Sequence, residues 1–295
     1  MAQYAKTMSE PESYKTIEVE RIAGALGAEV SGVDLSKPLD DVVFDEIHRA
    51  WLDNQVLFFR DQEMTSQQYL AFAKRWGGIH LHPYMTGLND HPEIFEIIKK
   101  EEDTQNFGGR WHVDQMFCPE PAKATMLYGR QVPDYGGDTL FANLYLAYDA
   151  LSQGMKAMIA KLKTVNNGDR RYGGKSRAER YAHGGSMAPK VVREAGNDIV
   201  SEHPLVRTHP ETGRKLLFIG SHSERFAGMT QEESAPLLEQ LMAYSHQPEL
   251  TCRFRWQAGS LAIWDNRCCQ HNAVNDYNGK RRVMHRITIK GDTPF

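Results

Sequence analysis

Residues 261–290 read LAIWDNRCCQHNAVNDYNGKRRVMHRITIK, and two β-rich runs inside them, 261–264 and 281–290, carry the reading of the fold. The first run is short and apolar, ends at the turn Asp265-Asn266-Arg267 and is followed by His271. Short length, β-branched and aromatic content and flanking turn residues favour strands over helices. In the second run Arg282, Met284, Arg286 and Thr288 share one face, while Arg281, Val283, His285 and Ile287 share the other. Two solutions stay open. Either the arginines face the interior, where each needs a partner because an unpaired buried cation is costly, or they form a solvated face with Val283 and Ile287 inward.

Similar short runs recur upstream at 17–35, 56–60, 94–99, 124–128, 138–143 and 216–219, separated by turn residues. Helical periodicity marks 41–54, a segment from Thr65 to the Gly77-Gly78 pair, 144–163 and 231–244. Thr65-Ser66-Gln67-Gln68 has the form of a capping box. Many short strands with helical insertions indicate a mainly β chain, a sandwich or jelly roll rather than a parallel α/β fold. Residues 1–16 are expected to form a loose tail and 17–295 a single domain. The stretch 166–195 is rich in glycine, lysine and arginine and poor in aliphatics, so it reads as a solvated insertion or as a basic lid over an anion site.

The chain has 295 residues, 41% hydrophobic and 25% charged, which excludes the disordered, collagenous and disulfide-scaffold classes. Its formal charge of −3 gives no general attraction to nucleic acid or anionic lipid. No nucleic-acid and no membrane partner is expected from this charge, while further copies of the chain in a dimer or tetramer are expected partners. Four cysteines form no CxxC pair, and no run of 18 apolar residues occurs. A reduced, cytoplasmic protein is the expectation.

Trp111-His112-Val113-Asp114 places an imidazole and a carboxylate two residues apart, on one face if the segment is a strand. His271 is a candidate third ligand. Two histidines and one carboxylate form the facial triad of non-haem Fe(II) oxygenases, whereas zinc favours a closed tetrahedron. An H-x-D pair alone is weak evidence, since such pairs are mostly ordinary buried or surface residues, and context has to decide.

That context is a set of motifs in order: Trp-His-Val-Asp at 111–114, Gly-Gly-Asp-Thr at 136–139, His-Pro-Leu-Val-Arg-Thr-His-Pro-Glu-Thr-Gly at 203–213, Trp-Asp-Asn-Arg at 264–267 with His271, and Arg-Arg-Val-Met-His-Arg at 281–286. The chain resembles the taurine dioxygenase/TfdA family of Fe(II)- and 2-oxoglutarate-dependent oxygenases over nearly its whole length. The resemblance implies a double-stranded β-helix (cupin-like jelly roll) with His112, Asp114 and His271 as iron ligands. It implies that Thr139 and Arg282 bind the distal carboxylate of 2-oxoglutarate, and that Arg286, helped by His82, faces the substrate's anionic group. Both arginines then point inward. The implied reaction couples conversion of 2-oxoglutarate and O2 to succinate and CO2 with hydroxylation of the substrate. An intact Asp114 favours hydroxylation over the halogenation of relatives that lack this carboxylate.

Positions corresponding to the amine end of the taurine site differ, with Gly108, Arg171-Tyr172 and Met85 in their place. Gly108 and Tyr172 therefore become candidate substrate contacts. The expected substrate is a larger or more apolar sulfonate, sulfate ester or carboxylate, aryloxyalkanoates included. Taurine dioxygenation proper is the alternative within the family. A non-catalytic jelly-roll sensor of metal and 2-oxoglutarate is the alternative outside enzymes.

Overall fold

The computed structural model describes residues 13–168, 186–187 and 199–295. Its main sheet sets side by side, in spatial order, β1 (Glu18–Arg21), β2 (Ala28–Ser31), β3 (Val56–Phe59), β13 (Leu261–Asp265), β5 (Ala124–Gln131), β15 (Arg282–Ile289) and β4 (Phe95–Lys99). The pairs are antiparallel except β2 with β3. A smaller sheet has the order β12 (Thr251–Phe254), β6 (Thr139–Asn143), β14 (Cys269–Ala273). Two satellites complete the β structure among the described residues: β11 (Ser223–Phe226), β7 (Lys163–Asn167) and β8 (Val200–Pro204), and the pair β9 (Val206–Thr208) and β10 (Lys215–Leu217).

Strands β3 and β13, in the middle of the main sheet, are apolar up to the closing Asp265 because both faces of the sheet are covered there. One face, with Leu57, Phe59, Met126, Tyr128, Leu261, Ile263, Ile287 and Ile289, packs under α1 (Asp41–Asn54) and α2 (Ser66–Lys74). The other, with Val56, Phe58, Leu127, Ala262, Trp264 and Met284, packs on Phe141 and Phe254 of the smaller sheet. Phe58 stacks on Phe254 with ring centroids 3.9 Å apart, and Phe141 meets Phe58 and Trp264 edge-on at 5.7 and 5.6 Å. Truncating such a core aromatic to alanine costs about 3–5 kcal/mol. Two facing sheets closed over this seam form the jelly roll, and the inter-sheet face of β15 settles the open question of its arginines. Arg282 and Arg286 lie on that inward face, 4% and 5% exposed.

Helix starts follow the local chemistry. Thr65 caps α2 with a reciprocal Thr65/Gln68 box, and Thr230/Glu233 do the same for α5 (Gln231–Ser245). The expected helix over 144–163 is instead two short helices, α3 (Leu144–Asp149) and α4 (Gln153–Ile159). Ser152 accepts from Met155 N–H and restarts the helix, and Lys163 already belongs to β7. The stretch expected as an insertion from 166 begins inside that strand, with Asn166 paired to Ser201 and Ser223. Most of the lid candidate lies outside the described residues. So does the tail to residue 12, while Lys15 and Thr16 are held by the Glu46 carboxylate of α1. The four cysteines are buried and unpaired. No helix among the described residues is long and apolar enough to cross a membrane.

Candidate active site

His112 and Asp114 do not sit on a regular strand, as the spacing suggested. His112 makes one isolated antiparallel bridge to His271 of β14, and Asp114 begins the turn that follows. The bridge is complete, with each N–H donating to the other's carbonyl at 3.0 Å, and it brings the imidazole centroids to 4.1 Å. Asp114 Oδ1 lies 3.5 Å from His112 Nε2, and Oδ2 lies 3.8 Å from His271 Nε2. One ligand atom from each of the three falls within 4.8 Å of the others, the spacing of a shared metal ion.

The surroundings orient these groups. His112 Nδ1 donates to the Arg110 carbonyl at 2.6 Å, which leaves the Nε2 lone pair for a metal. Asp114 Oδ2 accepts from Thr125 Oγ1 at 2.7 Å, and Asn266 bridges Thr125 Oγ1 and the Asp114 backbone N–H. Trp264 Nε1 in turn fixes Asn266 at 3.0 Å. Burial alone would raise the Asp114 carboxyl, but Arg286, His271 and His112 outweigh it and hold the group well below its usual range. Burial and the neighbouring His112 push the His271 imidazole well below its ordinary value, so it is neutral. A carboxylate and two imidazoles without a thiolate among them suit Fe(II) in an octahedral site with open positions.

A cavity of about 360 Å³ opens on His112 and Asp114, walled by His82, Asn106, Gly108, Gln115, Phe117 and Arg286 among others. Arg286 Nη2 lies 3.0 Å from Asp114 Oδ1, yet neither it nor Nε is aligned to a hydrogen-bond acceptor among the described residues. Gly108, at φ +82°, would put a Cβ 3.4 Å from His112 Cε1, so a side chain there would crowd the metal site. Met85 is buried beside Phe95. Tyr172 lies outside the described residues.

Arg282 and Thr139 are not part of that cavity wall. They converge on Trp256, whose Nε1 donates to Thr139 Oγ1 at 2.9 Å and whose ring lies 5.7 Å from the Arg282 guanidinium. Burial pushes the Arg282 guanidinium down and the Tyr277 hydroxyl pulls it back up, while Nε and Nη2 find no acceptor among the described residues. The Gly136-Gly137 pair is needed here. A Cβ on Gly137 would lie 3.2 Å from the Tyr277 ring and 3.4 Å from Arg282 Cδ. Buried cations with unmet donors are what an incoming carboxylate satisfies.

Several residues at the site had no role assigned from the sequence, although Asn266 lies in the Trp-Asp-Asn-Arg motif. Thr125 and Asn266 meet Asp114 only because β5 and β13 pair, Tyr277 and Trp256 flank Arg282 from irregular segments, and Gln115 follows the motif without any pattern of its own. Trp111 stacks on His246 at 4.4 Å, both half-buried, whereas Trp264 packs on the His271 ring at 4.5 Å. Cys269 is buried, which pushes its thiol well up and makes it inert as a nucleophile.

The model of the family described as "Taurine catabolism dioxygenase TauD, TfdA family" matches residues 18–288. The chain belongs to that family. Curated relatives include an alkylsulfatase of Acinetobacter baylyi, 35% identical over 94% of this chain and 86% of its own length. An alpha-ketoglutarate-dependent sulfate ester dioxygenase of Pseudomonas putida is 32% identical over 94% and 91%. An (S)-phenoxypropionate/alpha-ketoglutarate-dioxygenase of Sphingobium herbicidovorans is 32% identical over 93% and 95%. Among solved structures, a taurine dioxygenase from Burkholderia xenovorans superposes with a TM-score of 0.78 at 35% identity, covering 95% of this chain and 91% of that one. AAD-2 in complex with Mn(II) and N-oxalylglycine gives 0.74 at 30% identity, covering 95% and 99%. The protein is an Fe(II)- and 2-oxoglutarate-dependent dioxygenase with the jelly-roll fold of this family.

Proposed function

We propose that residues 17–295 act as one oxygenase unit that hydroxylates a small organic anion next to an Fe(II) ion held by His112, Asp114 and His271. The observation that carries the reading is the ion-sized gap between two imidazoles and a carboxylate, with the buried Arg286 beside it, whose Nε and Nη2 lack aligned acceptors among the described residues. When bound, the iron supplies the O2 chemistry that converts 2-oxoglutarate to succinate and CO2 and oxidises the substrate. The protein supplies the positions. Thr125 and Asn266 orient the Asp114 carboxylate, and the Arg110 carbonyl fixes the His112 tautomer. Arg282 and Thr139 take the distal carboxylate of 2-oxoglutarate, and Arg286 with His82 holds the substrate's anionic group against Asp114. Phe107 and Phe117 line the cavity and keep part of its wall dry.

The substrate class follows from the wall. Its only carboxylate among the described residues is Asp114, so an ammonium group finds no counter-charge there. The substrate is therefore an anion without an amine: a sulfonate, sulfate ester or carboxylate such as an aryloxyalkanoate. Where the hydroxylated carbon bears an ester or ether oxygen, the product collapses to a carbonyl compound and releases sulfate or a phenol. The test is a substrate panel read by succinate formation, with anaerobic titration of Fe(II) and 2-oxoglutarate followed by visible absorption. A metal-to-co-substrate band and anion-dependent succinate are expected. Taurine as the best substrate by a wide margin overturns the substrate class, and a band without succinate from any anion supports a sensor instead.

A further inference from the structure

Gln115 directly follows Asp114 and adopts a left-handed backbone, φ +53°, which residues with a Cβ rarely hold. Its carbonyl accepts from Cys118 N–H at 2.9 Å, which fixes the turn. The residue is 2% exposed, and both Nε2 and Oε1 are buried with no partner among the described residues. A carboxamide buried with neither half satisfied is rare and destabilising, and a left-handed glutamine persists only where its surroundings impose it. Both features fall on one residue in the wall that also contains His82, Phe117 and Arg286.

We propose that the Gln115 carboxamide determines specificity by donating to the substrate's anionic group, and that it tunes the site to tetrahedral sulfur anions over carboxylates. The inference rests on the function proposed above. Arg286 has two buried donors without an aligned acceptor among the described residues, Nε and Nη2, in the plane of one guanidinium, with Nη2 3.0 Å from Asp114 Oδ1. That fork satisfies both oxygens of a carboxylate. A sulfonate or sulfate ester has a third terminal oxygen out of the plane of the fork, and Gln115, a residue of the same wall, carries an amide N–H, unpaired among the described residues, to donate to it. A carboxylate lying in the fork has no oxygen out of that plane, so it meets the amide only at poor hydrogen-bond geometry. With a sulfur anion bound, the amide is paired, and a site built around a hydrogen bond discriminates against a ligand that cannot make it.

The experiment compares hexyl sulfate, hexane-1-sulfonate and heptanoate, which share a six-carbon chain, in wild type and Gln115→Met. It reads kcat/KM by succinate formation with Fe(II) and 2-oxoglutarate, and Kd for the metal-free protein by titration calorimetry. Wild type is expected to favour both sulfur anions by about tenfold or more, the value of one hydrogen bond to a charged group. Gln115→Met is expected to bring the three within about threefold of one another, mainly through KM and Kd. An equal loss for all three, or an unchanged ratio, overturns the proposal. If the variant does not fold, the wild-type ratio decides, since a preference for heptanoate overturns this proposal and leaves the oxygenase reading intact. No anion-dependent succinate from any of the three breaks that reading, and this proposal falls with it.

Discussion

Asp265 and Asn266 are neighbours in sequence, and their side chains enter two different buried clusters of histidine, carboxylate and arginine. In the cluster around Asp265, Arg267 donates through Nε and Nη2 to both carboxylate oxygens and through Nη1 to Glu211. His209 Nε2 reaches Asp265 Oδ2 at 3.0 Å, while His209 Nδ1 accepts from the Glu211 and Thr212 backbone N–H groups. In the cluster around Asn266, Asp114 is ionised and oriented, but Arg282 and Arg286 keep donors without acceptors and His271 Nδ1 has no partner among the described residues. By distance alone His209, Asp265 and Cys268 would also accommodate a metal ion. What separates the two is satisfaction: one network closes on itself and holds the fold, and the other is completed only by something from outside. Unmet donors need the surrounding geometry as well, because Arg207 also has two, yet it pairs with Asp292 and covers the Phe218 ring at 4.8 Å.

The sharpest way to break this contrast is to remove one carboxylate from each cluster. Asp114→Ala is expected to abolish the absorption band formed with Fe(II) and 2-oxoglutarate and to lower turnover by about 1,000-fold or more. Its melting temperature should fall less than that of Asp265→Asn, because Arg286 lines the cavity rather than a closed network. Asp265→Asn strips Arg267 of a fully buried partner, a loss of about 3–5 kcal/mol, or roughly 10 °C in Tm. It should leave the metal titration unchanged. A variant at 265 that melts normally but loses metal would show that the closed network is a second functional site.

The same contrast explains what could be read before the structure. The ligand types and their spacing at His112, Asp114 and His271 are legible because metal chemistry restricts the residues that serve it, and the arginine pair on β15 is legible from strand alternation. Which face of β15 points inward is not, since Arg282/Arg286 and Val283/Ile287 satisfy the period equally well. Thr125 and Asn266 gain meaning only from strand pairing that joins residues 141 apart. The polar strand β14 is held by its register with β6 rather than by any apolar pattern of its own. The break between α3 and α4 was hidden because the apolar period continues across Ala150 and Leu151.

Within the open cluster the two arginines should separate by substrate. Arg282→Ala is expected to raise KM for 2-oxoglutarate by about 10- to 100-fold, as loss of a charge-assisted pair does, with a small change for the organic anion. Arg286→Ala should do the converse. Initial-rate kinetics with each substrate varied in turn decides it, and equal effects of both variants on both constants would dissolve the division of labour along β15.

The smallest expected effect tests the closed cluster by pH. A hydrogen bond from His48 lowers the Glu211 carboxyl to about 2, with burial opposing and Arg267 assisting. A folded value below the unfolded one means that the unfolded chain binds more protons between them, so this contribution is present above about 4.5 and is lost as pH falls towards about 2. Glu211→Gln removes it. At neutral pH the variant should be less stable by about 1 kcal/mol, a modest figure because the side chain is 31% exposed and screened by solvent. The deficit should shrink as the medium is acidified and approach zero near the folded value, which thermal melts at a series of pH values measure. A deficit that is the same at pH 7 and pH 3 would mean that Glu211 acts through packing, and that the closed cluster owes less to its charges than the Arg267 contacts imply.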